Sequence, residues 1–137
     1  MNYARFTVAY WCVLIAVLLP YICAMLAKRA GGGNSKGEGA CDNADPRGWL
    51  ARQQGWKARA NAAQANSFEA LPFFIGAVVI AHQLRAPQTL LDILAVLFVT
   101  LRIIYIAMYV AGLPTMRSAM WAVAFFVNVG ILLSAWR

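Results

Sequence analysis

The stretch NAAQANSFEALPFF, residues 61–74, decides how the rest of this chain is interpreted. It opens a long apolar run that predicts a membrane-spanning helix, yet it carries Gln64, Asn66 and Glu69 in its first turns. A polar or charged side chain inside a membrane is costly, so it faces protein or a water-filled cavity and has a partner there. The stretch therefore predicts a polar site within a bundle of membrane helices.

The composition of the whole chain supports this class of protein. Of its 137 residues, 62% are hydrophobic and 12% are charged, and the mean hydropathy is +0.62. A soluble domain of this length could not bury so much apolar surface. Since roughly 20 apolar residues cross a bilayer, we expect four transmembrane helices, at about 3–26, 59–82, 88–112 and 114–136.

The connections between the last three spans are short, around residues 84–87 and at Gly112-Leu113. Short connections make neighbouring helices antiparallel. The predicted fold is therefore all-α, with residues 1–137 forming one integral membrane domain, a four-helix up-down-up-down bundle. Pro20 is expected to kink or end the first helix. No small-x-small cleavage site follows that helix before Lys28, so we expect it to be retained and not removed as a signal peptide.

Basic residues are concentrated in the predicted loop of residues 28–57, which contains Lys28, Arg29, Lys36, Arg47, Arg52 and Lys57. Because Lys and Arg flanking a span are enriched on the cytoplasmic side, this loop should face the cytoplasm and both termini the outside, in a bacterial inner membrane. The formal charge of +7 is then a topology signal, with some attraction for anionic lipid or ligand. A nucleic-acid-binding protein would need a basic face on a soluble module, which the sequence does not offer.

Within this loop, the glycine-rich residues 31–40 should be flexible, and their role is open. Trp49 and Trp56 predict a short interfacial helix that leads into the second span. We interpret the three cysteines as structural thiols and expect no metal site, since there is no CxxC motif and no nearby histidine: they are Cys12, Cys23 and Cys41.

Two charges are predicted at matched depth in the second and third spans. Glu69 lies about ten residues, roughly 15 Å, inside its helix from the cytoplasmic end, and Arg102 lies about as deep in the next helix. We therefore predict a Glu69–Arg102 ion pair. The alternative is that the pair only fixes helix packing, since buried pairs often specify an arrangement without adding net stability.

More polar groups are predicted near the same level. Tyr105 and Tyr109 follow Arg102 on one helix face, and Arg117 with Ser118 opens the fourth span. Together with Arg59 and Asn66 of the second span, they could form a pocket open to the cytoplasm. Its chemistry would suit a small anionic ligand with several carboxylates.

These residues carry a resemblance to a known family. The segment AQANSFEALP, residues 63–72, resembles the A-Q-x-N-x-x-E-x-x-P signature of the MAPEG proteins, the membrane-associated proteins in eicosanoid and glutathione metabolism. The segment RIIYIAMYVAGLPTMRS, residues 102–118, is similar to the R-x-x-Y-x-x-x-Y…R-S block of that family. The two motifs stand in the family's order, and the resemblance covers all four predicted spans.

The resemblance implies a homotrimer embedded in membrane lipid, with glutathione bound between subunits near the cytoplasmic side. By motif matching, glutathione would contact Asn66, Glu69, Tyr105 and Tyr109, with Gln64 beside them. Arg102 would brace Glu69, and Arg117 would be the catalytic residue that stabilises the glutathione thiolate. The pair Lys28-Arg29 resembles a basic position that approaches a glutathione carboxylate from an adjacent subunit, and a lipophilic small molecule would be the electrophile.

One departure keeps the alternatives open. Members that use glutathione often carry Arg directly before the A-Q pair, where this chain has Ala62, with Arg59 one turn earlier. The leading hypothesis is a microsomal-type glutathione transferase or peroxidase. The second is a non-catalytic MAPEG-fold protein that binds a ligand or lipid, and the third is a small membrane transporter, for which the outer half offers only His82, Asn128 and Ser134.

Overall fold

The computed structural model describes residues 6–29, 42 and 44–136. Within this part of the chain every regular element is a helix. There are five: α1 (Val8–Arg29), α2 (Pro46–Ala51), α3 (Gly55–Gln83), α4 (Gln88–Ala111) and α5 (Pro114–Leu133). Four of them, all except α2, are long and apolar enough to cross a membrane. The prediction of an all-helical chain with four candidate spans is confirmed.

The helix bounds differ from the predicted ones mainly in the first two spans. α1 continues through Pro20 to Arg29, so the proline does not end it. α3 begins four residues before the predicted start, at Gly55, and the fourth span ends at Leu133. The predicted residues 3–5, the glycine-rich residues 31–40 and Cys41 lie outside the described residues.

A short helix is confirmed ahead of the second span. Asp45 caps α2 because its Oδ1 accepts from the Gly48 amide at 2.9 Å, and Pro46 occupies the first turn. Trp49 is buried, and together with Leu50 it packs against residues of α1 and α3. Gly55 then takes a left-handed φ of 61°, a conformation suited to glycine, and α3 begins there.

Small side chains let the spans approach one another closely. α1 packs against α3 and α4, and α5 packs mainly against α4. Their contacts are made largely by alanines, as expected where apolar lipid supplies no hydrophobic driving force between helices: Ala9, Ala16, Ala77, Ala81, Ala95 and Ala124. Phe74 and Phe98 fill the centre, stacked with ring centroids 4.1 Å apart. Large apolar side chains cover much of the outside, where lipid would meet them.

Polar groups at one end of the bundle bond to one another. The Asp92 Oδ1 accepts from the Ala9 amide at the start of α1, at 2.9 Å, and from Gln88 Nε2 at 2.8 Å. His82 Nδ1 lies 2.8 Å from the Val78 carbonyl, which can only accept, and His82 Nε2 lies 3.0 Å from Thr7 Oγ1. We call this end the closed end, because both ring nitrogens of His82 and one oxygen of Asp92 are already bonded within the chain.

Candidate functional site

Arg102 lies inside the bundle, and its side chain is only 3% exposed. Its Nη2 donates to Asn66 Oδ1 at 3.0 Å and to Ser67 Oγ at 3.3 Å. Ser67 in turn donates to the Ala63 carbonyl one turn earlier in α3, at 2.8 Å. The guanidinium is thereby tied to two consecutive residues of α3, as a charge buried in a membrane helix requires.

The predicted direct ion pair between Glu69 and Arg102 is not formed in this chain. Asn66 lies between them: its Oδ1 accepts from Arg102, and its Nδ2 donates to Glu69 Oε2 at 3.4 Å. The reason is spacing, since Asn66 stands one turn before Glu69 on the same face of α3 and meets the guanidinium there. Glu69 itself is exposed on the outside of the chain.

Two arginines and two tyrosines stack in sequence along the site. The Arg102 guanidinium lies 4.3 Å from the centroid of the Tyr105 ring, and the Arg117 guanidinium lies 4.5 Å from that of Tyr109. The two tyrosine rings meet edge to face with centroids 5.6 Å apart. Such contacts orient a guanidinium over a ring face without neutralising its charge. Tyr105 is buried, whereas Tyr109 and Arg117 are half-buried.

Arg59 joins the start of α3 to the end of α4. Its Nε donates to the Val110 carbonyl at 3.0 Å, one of the carbonyls that a helix leaves unpaired at its C-terminus. Gly112 follows with a φ of 76°, and a Cβ added there would lie 3.4 Å from the Arg59 Cζ. Glycine therefore supplies the left-handed helix cap, and an added Cβ would make ordinary van der Waals contact with the guanidinium.

The stacked residues line a cavity of about 300 Å³ that we call the cradle. Besides Asn66, four predicted site residues line it: Tyr105, Tyr109, Arg117 and Ser118. Trp121, which the sequence did not single out, completes the lining. A second cavity of about 220 Å³ adjoins it and is lined by Arg59, Tyr109 and Arg117. Arg59, Asn66, Tyr109 and Arg117 are thus brought together, as their spacing predicted.

A third cavity, the slot, shares Asn66 and Trp121 with the cradle and runs between α3, α4 and α5. Its volume is about 230 Å³. Four aromatic rings form its walls, namely Phe73, Phe98, Trp121 and Phe125, and its polar groups belong to Asn66, Glu69, Arg102 and Asn128. Trp121, Phe125 and Glu69 are exposed on the chain's outer surface, so the slot opens sideways between α3 and α5.

Other predicted site residues lie elsewhere. Gln64 lines a groove of about 360 Å³ on another face of α3, with Arg47 and Phe68, and its Oε1 is buried without a partner among the described residues. Lys28, at the end of α1, does not line the cradle. Arg29 belongs to α1, but its side chain is outside the described residues.

The sequence prediction missed Ser67, Trp121 and the rings of the slot. Ser67 had a signal, because it is a polar residue adjacent to Asn66 in the middle of a span. Trp121 lies four residues after Arg117 and so on the same helix face. The sequence alone, however, could not distinguish its indole from a ring that faces lipid. Asn128 was noted, but without a role in this site.

Comparison with known proteins gives one match. No curated protein and no solved structure matches the chain. The family model of the MAPEG family matches residues 8–136, nearly the entire length. This match includes every residue of the cradle and the slot. With its four apolar helices, the chain is therefore an integral membrane protein that belongs to the MAPEG family.

Proposed function

We propose that the protein binds glutathione in the cradle and activates its thiolate for attack on lipophilic electrophiles. The proposal rests on one observation, the position of the Arg117 guanidinium and its lack of a counter-ion among the described residues. Its guanidinium is held 4.5 Å over the Tyr109 ring on the cradle wall, and no carboxylate of the described residues lies within ion-pair distance of it. A positive charge positioned without a counter-ion favours an anion beside it.

The charges of the site fit the groups of glutathione. Three guanidiniums, those of Arg59, Arg102 and Arg117, and one carboxylate, that of Glu69, line the cradle and the two cavities beside it, so the site favours a ligand with more negative than positive groups. The two glutathione carboxylates would meet arginine and tyrosine donors, and its ammonium would meet Glu69. Arg117 would favour the thiolate over the thiol, and the thiolate is the nucleophile.

The chemistry then needs little from the protein beyond positioning. With an activated alkene, the sulfur lone pair forms the C–S bond, the alkene π pair moves to the neighbouring carbon, and that carbon takes a proton from water. With a hydroperoxide, the thiolate attacks the outer oxygen and the O–O bond breaks, releasing an alcohol after protonation. A second glutathione would then displace water from the sulfenic intermediate to give glutathione disulfide.

The placement of polar groups on α3 supports an assembly of several copies. Glu69 is exposed within a membrane span, and the unpartnered Gln64 Oε1 lies in a groove on another face of the same helix. A second copy of the chain would cover such groups. We propose an up-down-up-down homotrimer in a bacterial inner membrane, with glutathione between subunits, the loop of residues 28–57 in the cytoplasm and the termini outside.

Glutathione titration of the detergent-purified protein tests the proposal. We expect the ultraviolet difference absorbance of a thiolate to develop on binding, and Arg117→Ala to abolish it while Arg52→Ala retains it. Arg52 is a matched control, because it is an exposed arginine outside the cradle. Wild-type protein that binds glutathione only as the thiol would refute the assignment of Arg117.

A second candidate is a non-catalytic protein of this family that binds an anionic ligand or lipid. Ala62 favours it, because the chain lacks a guanidinium at that position and Arg59 is engaged with the Val110 carbonyl. Under this alternative, glutathione or an anionic lipid would bind without a thiolate signal and without conjugation of any electrophile.

A further inference from the structure

Asp92 uses only one of its two carboxylate oxygens at the closed end. Its Oδ1 accepts from the Ala9 amide and from Gln88, whereas its Oδ2 has no hydrogen-bond partner among the described residues. The side chain is half-buried, and Oδ2 is not one of the buried oxygens that lack a partner, so this atom is accessible from outside. No cation of the described residues lies within ion-pair distance of it. Asp92 therefore presents one anionic oxygen to whatever surrounds the bundle.

An apolar groove of about 430 Å³ begins at this carboxylate and runs along the outside of α4. Besides Asp92, its lining consists of Val8 at the start of α1 and four residues of α4: Ile93, Val96, Leu97 and Thr100. The apolar ones are 41% to 60% exposed, so lipid would meet them directly. The Thr100 hydroxyl donates to the Val96 carbonyl at 2.8 Å, which leaves no free donor at the far end. This α1–α4 groove is thus anionic at one end and apolar along the rest.

The depth of the α1–α4 groove matches that of a membrane lipid. α4 has 24 residues and is about 36 Å long, slightly more than the roughly 30 Å of a hydrocarbon core. Asp92 lies roughly 6 Å from the start of this helix, near the boundary between headgroups and hydrocarbon. Thr100 lies about 12 Å further in, towards the middle of the bilayer. A molecule that follows the groove from Asp92 therefore runs parallel to the lipid chains.

Charge complementarity decides which lipid fits the α1–α4 groove. A carboxylate at the edge of the hydrocarbon needs a partner, and a cationic N–H donor gives the strongest hydrogen bond to it. An ethanolamine headgroup carries three N–H donors on its ammonium. A choline headgroup carries none, because its nitrogen bears three methyl groups, and a glycerol headgroup has no cation. The groove therefore favours ethanolamine over choline, although both phospholipids have the same net charge.

We propose that the α1–α4 groove binds a phospholipid with a primary ammonium headgroup, namely phosphatidylethanolamine. Its ammonium donates to the Asp92 Oδ2, and one acyl chain lies against Ile93, Val96 and Leu97. Oδ1 stays bonded to the Ala9 amide, so one carboxylate joins α1, α4 and the lipid. None of the groove residues belongs to α3, where we propose contacts with neighbouring copies, so the two surfaces do not compete. The lipid site does not depend on glutathione.

Lipid binding to the detergent-purified protein, measured by native mass spectrometry, tests the proposal. The probes are three dioleoyl lipids that share their chains, phosphate and net charge: phosphatidylethanolamine, its N,N-dimethyl derivative and phosphatidylcholine. We expect phosphatidylethanolamine to bind about threefold to tenfold more tightly than phosphatidylcholine, the range of one net hydrogen bond. The dimethyl lipid keeps one N–H and should resemble phosphatidylethanolamine. Equal affinity of wild-type protein for all three lipids would overturn the proposal.

Asp92→Asn identifies the oxygen responsible. The amide keeps a carbonyl oxygen for the Ala9 amide but replaces the anionic Oδ2 with an NH2 group, which cannot accept, so the preference for ethanolamine should disappear. Asp42→Asn makes the same change of charge at an exposed residue outside the groove and should keep the preference. A preference that survives in Asp92→Asn contradicts the proposal. Because the lipid series is measured on wild-type protein, poor folding of this variant does not remove the test.

A variant of the groove wall tests where the acyl chain lies. Leu97→Trp narrows the groove at a lipid-facing position and should weaken the binding of both lipids without changing their ratio, whereas Leu90→Trp, on α4 but outside the groove, should weaken neither. Equal effects of the two variants would mean that the lipid lies elsewhere. Glycerophosphoethanolamine, the headgroup without chains, should not compete at equal concentration, and competition would reveal a site for soluble amines instead. Asp92→Asn should bind glutathione like wild type, so either proposal can fail alone.

Discussion

The polar groups at the two ends of the helix bundle differ in whether they have partners within the chain. At the closed end, Asp92 caps α1 through the Ala9 amide and both ring nitrogens of His82 have partners within the chain. At the cradle end, Arg117 has a ring beneath it but no counter-ion among the described residues, and Glu69 faces outward. Polar groups that bond to one another hold helices together, whereas groups left open are available to a ligand or a further subunit. The contrast supports a structural role for the closed end and agrees with the binding that we propose at the cradle.

Arg102 lies beside the cradle but is bonded within the chain. Its replacement should have the largest effect on stability. Arg102→Met leaves the part-buried Asn66 Oδ1 without its donor, whereas Ser67 Oγ keeps its bond to the Ala63 carbonyl. One unsatisfied buried group costs roughly 1–3 kcal/mol, so we expect a loss in this range in the free energy of unfolding, measured by melting in detergent.

Removing the partners of Arg102 as well provides the control. The combined variant Arg102→Met, Asn66→Leu, Ser67→Ala should recover much of the loss, because replacing all partners with apolar groups is nearly neutral. If Arg102→Met alone melts like wild type, the buried network does not hold α3 to α4.

Arg117 should behave in the opposite way, with a large effect on binding and a small one on folding. Arg117→Met should weaken glutathione binding about tenfold to a hundredfold, the range of one lost charge-assisted hydrogen bond of about 1.5–3 kcal/mol. Its melting temperature should stay close to that of wild type. Calorimetric titration measures the affinity, and Arg117→Lys, which keeps the charge without the planar stacking, should lie between the two. If the melting temperature of Arg117→Met fell as far as that of Arg102→Met, Arg117 would have the same structural role as Arg102.

Asp92 tests the closed end. Asp92→Ala removes the acceptor for the Ala9 amide and Gln88, and loss of such a cap costs about 1 kcal/mol. Glutathione affinity should not change, because Asp92 lies away from the cradle. Asp92→Asn keeps a carbonyl oxygen at that position and should restore most of the stability. A change in glutathione affinity in Asp92→Ala would show that the two ends are coupled.

The smallest effects are expected at two glycines, and they should differ in sign. Gly112→Ala places a side chain at a φ of 76° and against Arg59, which should cost about 1 kcal/mol. Gly130→Ala fills open space inside α5 and should stabilise the helix by about 0.5–1 kcal/mol. Melting of the two variants side by side gives the comparison, and equal shifts would mean that neither backbone conformation nor space governs these positions.

The sequence predicted the spans well because apolar runs and turn residues are local signals. Pro114 and Gly112 mark the α4–α5 junction within a residue or two. Pro20 was expected to kink or end the first helix, and the helix does not end there, because a proline inside a well-packed helix need not terminate it. The start of α3 was placed too late, since polar residues that precede a span can extend its helix.

The contacts among the candidate site residues could not be predicted from the sequence. Depth alone matched Glu69 with Arg102, yet it could not show that Asn66 would reach the guanidinium first. Gln64 and Asn66 stand two residues apart, which sends their side chains to different faces of α3. The slot required three helices in contact, and no local pattern contains that information.

The two-residue connection between α4 and α5 has a consequence for biogenesis. Residues 102–118 hold Arg102, both tyrosines and Arg117 within one stretch of chain that spans this connection. The two helices pack directly against each other and can enter the bilayer as one unit as they emerge from the ribosome. Most of the guanidinium–tyrosine stack is therefore set by neighbours in sequence, and docking onto the previously inserted α3 completes it.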